Sequence, residues 1–194
     1  MKNPNEKVKL LVFIRCYTRK SLLIAAFFII TSPFVLAQEV LKSRPSPLEI
    51  VTVKFDETYV KINYGRPHIR DRVIFGDLVP YGKVWRTGAN EATEITATKM
   101  INIGGQMLAA GTYTIFSIPY EDKWTIILNS DLGQWGAYNY DESKDVLRFD
   151  VPTQKTEEKY EPFTIEFELQ EEAANILMMW ENTKVTIPLT FITE

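Results

Sequence analysis

The stretch Tyr64–Thr93, YGRPHIRDRVIFGDLVPYGKVWRTGANEAT, decides how this chain is read. It holds Arg66, Arg70, Arg72 and Arg86, the chain's single histidine at His68, Trp85, two prolines and four glycines. No period of 2 or 3.6 runs through it, so it is expected to be mostly irregular, with Val84–Arg86 as a short extended piece and Phe75–Leu78 as one helical turn. A long polar and aromatic crossover inside a compact domain is usually either a functional loop or a structural cross-connection.

Outward from it, alternating runs lie on both sides. Upstream, Val51, Val53 and Phe55 alternate with Thr52 and Lys54, Asp56-Glu57 turns the chain, and Val60, Ile62 and Tyr64 alternate with Lys61 and Asn63, the pattern of a β-hairpin. Downstream, Glu94–Ala97 resumes extended structure. Met100–Ile103 and Gln106–Leu108 flank Gly104-Gly105, a pair suited to the positive φ angles of a tight hairpin turn. Strands are then expected over Thr112–Ile118, Lys123–Leu128, Trp135–Tyr140, Val146–Val151, Phe163–Leu169, Ile176–Trp180 and Lys184–Ile192. Pro152–Glu161 reads as a charged loop, Glu181–Thr183 as a turn, and Pro188 as the mark of an edge strand. Ten to twelve short strands without a helix-length amphipathic segment define an all-β class. The expected architecture is an antiparallel β-sandwich, jelly-roll-like, with one long irregular Arg-rich crossover and at most short helical turns.

The first 37 residues are of a different kind. Six Lys or Arg residues precede an apolar run from Leu22 to Leu36, broken by Thr31, Ser32 and Pro33, and Val35-Leu36-Ala37 offers a cleavage site between Ala37 and Gln38. This is the pattern of a secretory signal peptide, and the run is short of the roughly 20 residues a membrane span needs. The expected organisation is therefore a signal peptide over 1–37, a flexible leader over 38–47 and a single β-sandwich domain over 48–194, exported to the periplasm or the cell exterior with no permanent span after cleavage. Cys16 is the only cysteine and lies in the segment to be removed, so the exported chain has no thiol for a disulfide, a nucleophile or a thiolate metal site.

Residues 1–37 carry six of the 22 basic and one of the 25 acidic residues, which leaves 38–194 at a net charge of about −8. That balance argues against nucleic-acid binding by a basic face.

The residues YGRP (64–67), IFGDLVPYGKVWRTGANEAT (74–93), GTYTIFSIP (111–119), WTIILN (124–129), QWGAYNY (134–140) and DVLRFDV (145–151) resemble the bacterial domain-of-unknown-function family 2911. The resemblance spans about residues 45–192 and implies a signal peptide before one domain. It carries no catalytic residues over to this chain. Where the family often has lysine after the YGRP motif, Arg70 stands here, which keeps the charge and changes the hydrogen-bond geometry.

The residues themselves leave three functions open. The first is a binding module for a small anionic or carbohydrate ligand, or for a partner protein. Its candidate residues are Arg66, His68, Arg72, Trp85, Arg86, Asn90, Glu91, Trp135 and Arg148, because guanidinium forks hold carboxylates and phosphates and aromatic faces stack on sugars. The second is a carboxylate- and arginine-dependent hydrolase, with Glu91 and Asp145 as carboxylates and His68 as base. No serine sits in a G-x-S-x-G elbow to complete a triad. The third is a structural envelope protein whose arginines only brace the fold. No cofactor is implied. With one histidine and no exported thiol, a metal site is disfavoured, and Asn139, Asp141 and Asp145 lack the spacing of a calcium loop.

Overall fold

The computed structural model describes residues 43–192. The proposed signal peptide and the first part of the leader lie outside these residues. Nine strands follow in order: β1 (Leu48–Phe55), β2 (Thr58–Gly65), β3 (Thr93–Ala97), β4 (Ile101–Ile103), β5 (Gln106–Leu108), β6 (Gly111–Pro119), β7 (Lys123–Asn129), β8 (Asp145–Leu169) and β9 (Ala173–Phe191). The helical content of the described residues is a single 3₁₀ turn at Glu142–Lys144, capped by the Asp141 side chain. All strand pairings are antiparallel, and the strands form one sheet in the order β1-β2-β3-β6-β7-β8-β9-β4-β5. The sheet does not close into a barrel.

The alternation of β1 and β2 works as the sequence suggests. Val60, Ile62 and Tyr64 are buried on one side, and the register runs from Leu48 opposite Gly65 to Phe55 opposite Thr58. Gly104 and Gly105 take φ of 58° and 82° at the β4–β5 turn, a conformation that glycine adopts without steric cost.

Two long strands correct the sequence reading. Pro152–Glu161 is not a loop, since β8 runs unbroken through it, and Glu181–Thr183 does not turn the chain, since β9 runs through that as well. Both faces of Gln154–Lys159 are largely exposed, so this arm has no hydrophobic alternation to read. Backbone pairing with β9 holds at Gln154 and Lys155 and resumes at Tyr160, with register shifts between Lys155 and Tyr160 and between Tyr160 and Thr164; in between, Asn182 Nδ2 donates to the Thr156 and Glu158 carbonyls, and Glu181 is held at φ 51°. Pro188 is in an interior strand. It lies past the segment that pairs with β8, which ends at Val185, and just before the one that pairs with β4, which begins at Leu189, so its missing N–H costs neither ladder a bond.

The long strands let one sheet enclose the main core. β8 pairs with β7 through its first part and with β9 through its second. Phe55 of β1 stacks on Phe191 of β9 with centroids 5.1 Å apart, so opposite regions of the sheet share a buried interior.

The 66–92 crossover is irregular, as expected, and is anchored by isolated bridges and not by strands: His68 with Pro162, Trp85 with Ser117, and Glu91 with Trp135. Phe75–Leu78 is a tight turn and not helical. Gly76 takes φ 92°, the Gly76 N–H donates to the Val79 carbonyl at 2.9 Å, and the Val79 N–H donates to that of Ile74 at 2.8 Å. The crossover also inserts two rings into the core. Phe75 and Trp85 join Trp124, Phe163 and Trp180, with Trp85 stacked on Trp180 at 5.8 Å and 17°.

A half-buried cation in a small cavity

At Trp85 the crossover lies extended beside β6: the Trp85 N–H donates to the Ser117 carbonyl at 2.7 Å and the Ser117 N–H returns the bond at 2.9 Å. Successive side chains of an extended segment point to opposite sides. Trp85 therefore enters the core, where its Nε1 donates to the Gly88 carbonyl at 3.1 Å. Val84 packs the other way, into a second apolar cluster around Ala92, Phe116 and Ile127 that includes Ala137.

Arg86 shares the side of Val84. Together with Ala137 and Tyr138 these residues border a cavity of about 250 Å³. Leu78, Val79 and Pro80 supply a second apolar wall, an edge of Trp85 contributes, and Lys83 stands at the border. The Arg86 guanidinium is half-buried and has no carboxylate partner among the described residues, and its Nε is fully buried with no hydrogen bond. Burial pulls its pKa below the usual guanidinium value, opposed by the nearby Tyr138 hydroxyl. A guanidinium keeps its proton under all ordinary conditions. The result is a fixed cation without an internal counter-charge, in a chain rich in acids.

The other arginines are committed internally. Arg72 donates from Nε to the Ile69 carbonyl at 2.9 Å and from Nη2 to that of His68 at 2.6 Å, closing its own loop. Arg66 reaches Thr164 Oγ1 at 3.2 Å and Glu49 at 3.6 Å, although its Nε is buried without a partner. Arg148 donates to the Tyr140 hydroxyl at 2.7 Å and to Asp145 at 2.9 Å, with Glu142 at 3.4 Å. Tyr140 also donates to Asp145 at 2.7 Å, and burial first, then Asp145, push its pKa up to about 12.

Asn90, Glu91 and Trp135 form a separate group. The Ala92 N–H donates to the Gln134 carbonyl and the Gly136 N–H to that of Asn90, which joins the crossover to the loop carrying Ala137 and Tyr138. Trp135 is 59% exposed beside this joint. On its other side, Asn90 Nδ2 donates to the Ser46 carbonyl, and Arg44 Nη1 contacts both carboxylate oxygens of Glu91, at 2.7 and 2.8 Å. Glu91's own backbone N–H, then Arg44 against a partial opposition from burial, hold its carboxyl below the usual range. Residues 44–47 are thus laid along the crossover, and the Arg66 and Arg70 donors bond the Pro47 and Pro45 carbonyls.

Of the residues singled out by sequence, Trp85 and Arg86 border the cavity, and Asn90, Glu91 and Trp135 brace the loop behind it. Arg66, His68, Arg72 and Arg148 have separate surroundings. Trp85 is core and not an open platform, because Trp180 covers its ring. Sequence reasoning did not select Leu78, Val79, Lys83, Val84 and Ala137. The available signal was the alternation about Trp85, which puts Val84 and Arg86 on one side. Among the described residues no group of His, Cys, Asp and Glu side chains could hold a metal ion, and no helix is long and apolar enough to cross a membrane.

Fold and site define an open-sheet, all-β protein with a cationic cavity at the junction of its crossover and the Gln134–Tyr138 loop. The chain belongs to the family described as "Protein of unknown function (DUF2911)", which it matches over residues 46–189. No curated protein and no solved structure matches it.

Proposed function

We propose that the protein is an exported binding protein for a small anion-bearing molecule, held in the cavity that Arg86 borders. The observation that carries this reading is the half-buried guanidinium without an acidic partner. Taking a cation out of water is costly unless a counter-charge or hydrogen-bond acceptors compensate it, and an incoming anion would supply both. At about 250 Å³ the cavity is slightly below the roughly 300–1,000 Å³ of drug-sized sites, so the ligand is small. Export is supported by the basic segment, apolar run and cleavage signal within residues 1–37.

The bracing function accounts for Arg72 and Arg148 but leaves Arg86 unexplained. The hydrolase reading has less support at this cavity, because its border includes neither a carboxylate nor the histidine.

The test is a thermal-shift screen of small carboxylates, phosphates and sugar acids against their neutral counterparts, on protein expressed from the full chain. At least one anion should raise Tm, and Arg86→Met, which keeps the apolar stem and removes the charge, should abolish that rise. A screen in which no anion shifts Tm, or in which Arg86→Met responds as the parent does, refutes the reading. Intact mass of the exported product tests cleavage at Ala37–Gln38.

A further inference from the structure

We infer that the cavity takes a cyclic sugar carrying an acidic group, with Arg86 receiving the anion and the Tyr138 ring serving as the platform on which the sugar lies. This rests on the proposal that Arg86 binds an anion, and it adds what the rest of the ligand must be.

Arg86 makes no hydrogen bond or ion pair among the described residues, and Nε is its only side-chain nitrogen shut off from solvent. What it offers a ligand is therefore the end of the guanidinium, where Nη1 and Nη2 each carry a pair of N–H donors. A carboxylate or a phosphate accepts one N–H from each nitrogen. The second N–H of each remains, and so does the Lys83 ammonium, which is also donor-only. Of the polar side chains at the mouth, only the Tyr138 hydroxyl can also accept. A ligand that answers these groups brings acceptor oxygens beyond those of its anion, and the hydroxyls of a sugar are such oxygens. The cavity is open on one side and its wall mixes polar with apolar surface. Hydroxyls that reach no protein donor therefore stay bonded to water.

The shape of the body follows from Tyr138. A Cβ on Gly136 would stand 2.7 and 2.8 Å from the Tyr138 ring carbons Cε2 and Cδ2, closer than side chains approach, so the ring occupies the space that the glycine leaves. Gly136 takes φ 76°, and its N–H donates to the Asn90 carbonyl at 3.0 Å, which ties this seat to the crossover that carries Arg86. The ring is thus held against its own loop, at the border of the cavity, while the residue stays 85% exposed. The carbon-bound hydrogens of a pyranose form an apolar face that packs on the electron-rich face of an aromatic ring, and its hydroxyls project from the rim. An open-chain acid has the same kinds of oxygen and no fixed face to lay on the ring.

The experiment measures binding by calorimetry, on protein expressed from the full chain, with glucuronate, glucose 6-phosphate, open-chain gluconate, neutral glucose and phenylacetate. Glucuronate, glucose 6-phosphate or both should bind more tightly than the other probes, and the tighter of the two identifies the acid. Arg86→Met should weaken that binding by about 10- to 100-fold, the value of a charge-assisted pair. Tyr138→Ser should weaken it by about 3- to 10-fold and leave gluconate unaffected. Trp135→Ser removes an exposed ring of the same loop that does not border the cavity, and it should leave every affinity as it was.

Gluconate binding as tightly as the cyclic anions, or cyclic anions indifferent to Tyr138→Ser, would overturn the platform and leave the anion site standing. Phenylacetate binding more tightly than both anionic sugars would overturn the sugar assignment in the same way. An equal loss from Trp135→Ser would reduce the effect of Tyr138 to adhesion on exposed rings and overturn the inference. Failure of all four anions would overturn both this inference and the anion site. Should Arg86→Met fail to fold, the comparison of glucuronate with glucose takes its place: equal affinities refute the anion contact.

Discussion

Trp85 and Trp124 lie in the same aromatic nest, 5.7 Å apart, and differ in the pairing of the indole N–H. The Trp85 indole N–H donates to the Gly88 carbonyl, whereas that of Trp124 is buried without a partner. Replacing either with phenylalanine removes a similar volume of buried ring, which destabilises by roughly 2–3 kcal/mol as a partial cavity. Trp85→Phe also strips a donor from the Gly88 carbonyl, for about 1–3 kcal/mol more. Trp124→Phe removes an unsatisfied donor, which recovers a similar amount. The two variants should therefore differ by at least about 2 kcal/mol, with Trp85→Phe the less stable. At about 2–4 °C per kcal/mol for a chain of this size, its Tm should lie at least roughly 4–8 °C lower. Far-UV circular dichroism in a denaturant series reads this without relying on tryptophan emission, which both substitutions alter. Equal losses in the two variants would refute the claim that the hydrogen bond anchors the crossover at Trp85.

Gly65→Ala should destabilise by about 1–3 kcal/mol or more, since a Cβ there would run into the Ala89 carbonyl on the facing turn of the crossover; a melt unchanged within 1 °C would show that the two backbones are not in contact. Tyr140 should ionise late, near pH 12, in an absorbance titration at about 295 nm, and Tyr140→Phe should delete that late component. Because its folded-state pKa is raised, the stability linked to its protonated form is full below about pH 10 and lost as pH rises toward 12, so Tyr140→Phe should flatten the alkaline fall. Arg44→Ala removes a pair whose side chains are 51% and 41% exposed, so global stability should change by less than about 1 kcal/mol. Amide exchange at Arg66, which donates to Pro47, should quicken in the same variant; unchanged exchange would mean that residues 44–47 are held without Arg44.

What was legible in the sequence was what side-chain alternation encodes. Val60, Ile62 and Tyr64 announced β2, and Gly104-Gly105 announced the β4–β5 turn, because a single local cause sets each. Continuity of β8 across Pro152–Glu161 was not legible: with the side chains of Gln154–Lys159 largely in water, nothing in them reports that the backbone stays extended. The arginines were ambiguous for a related reason. Arg72 is satisfied by the carbonyls of His68 and Ile69, acceptors that every residue possesses and no pattern reveals. Trp85 beside Arg86 can be read as a ligand platform or as a core ring, and the bridge to Ser117 decides which side each takes. Lys83 and Leu78 come to the cavity through the turn at Gly76, whose geometry a residue list does not express.

Strand β4 hydrogen-bonds to a segment, Leu189–Phe191, that is made almost ninety residues later, and the Tyr64 hydroxyl accepts from the Ile165 amide 101 positions away. A chain emerging from its N-terminus thus carries an undocked β4–β5 hairpin and an open interior for nearly all of the synthesis that follows Leu108. Folding dominated by such distant closures is slow, and the unfinished chain is exposed to wrong partners until its final strand arrives. Late completion would also keep the polypeptide threadable, which the export proposed above requires.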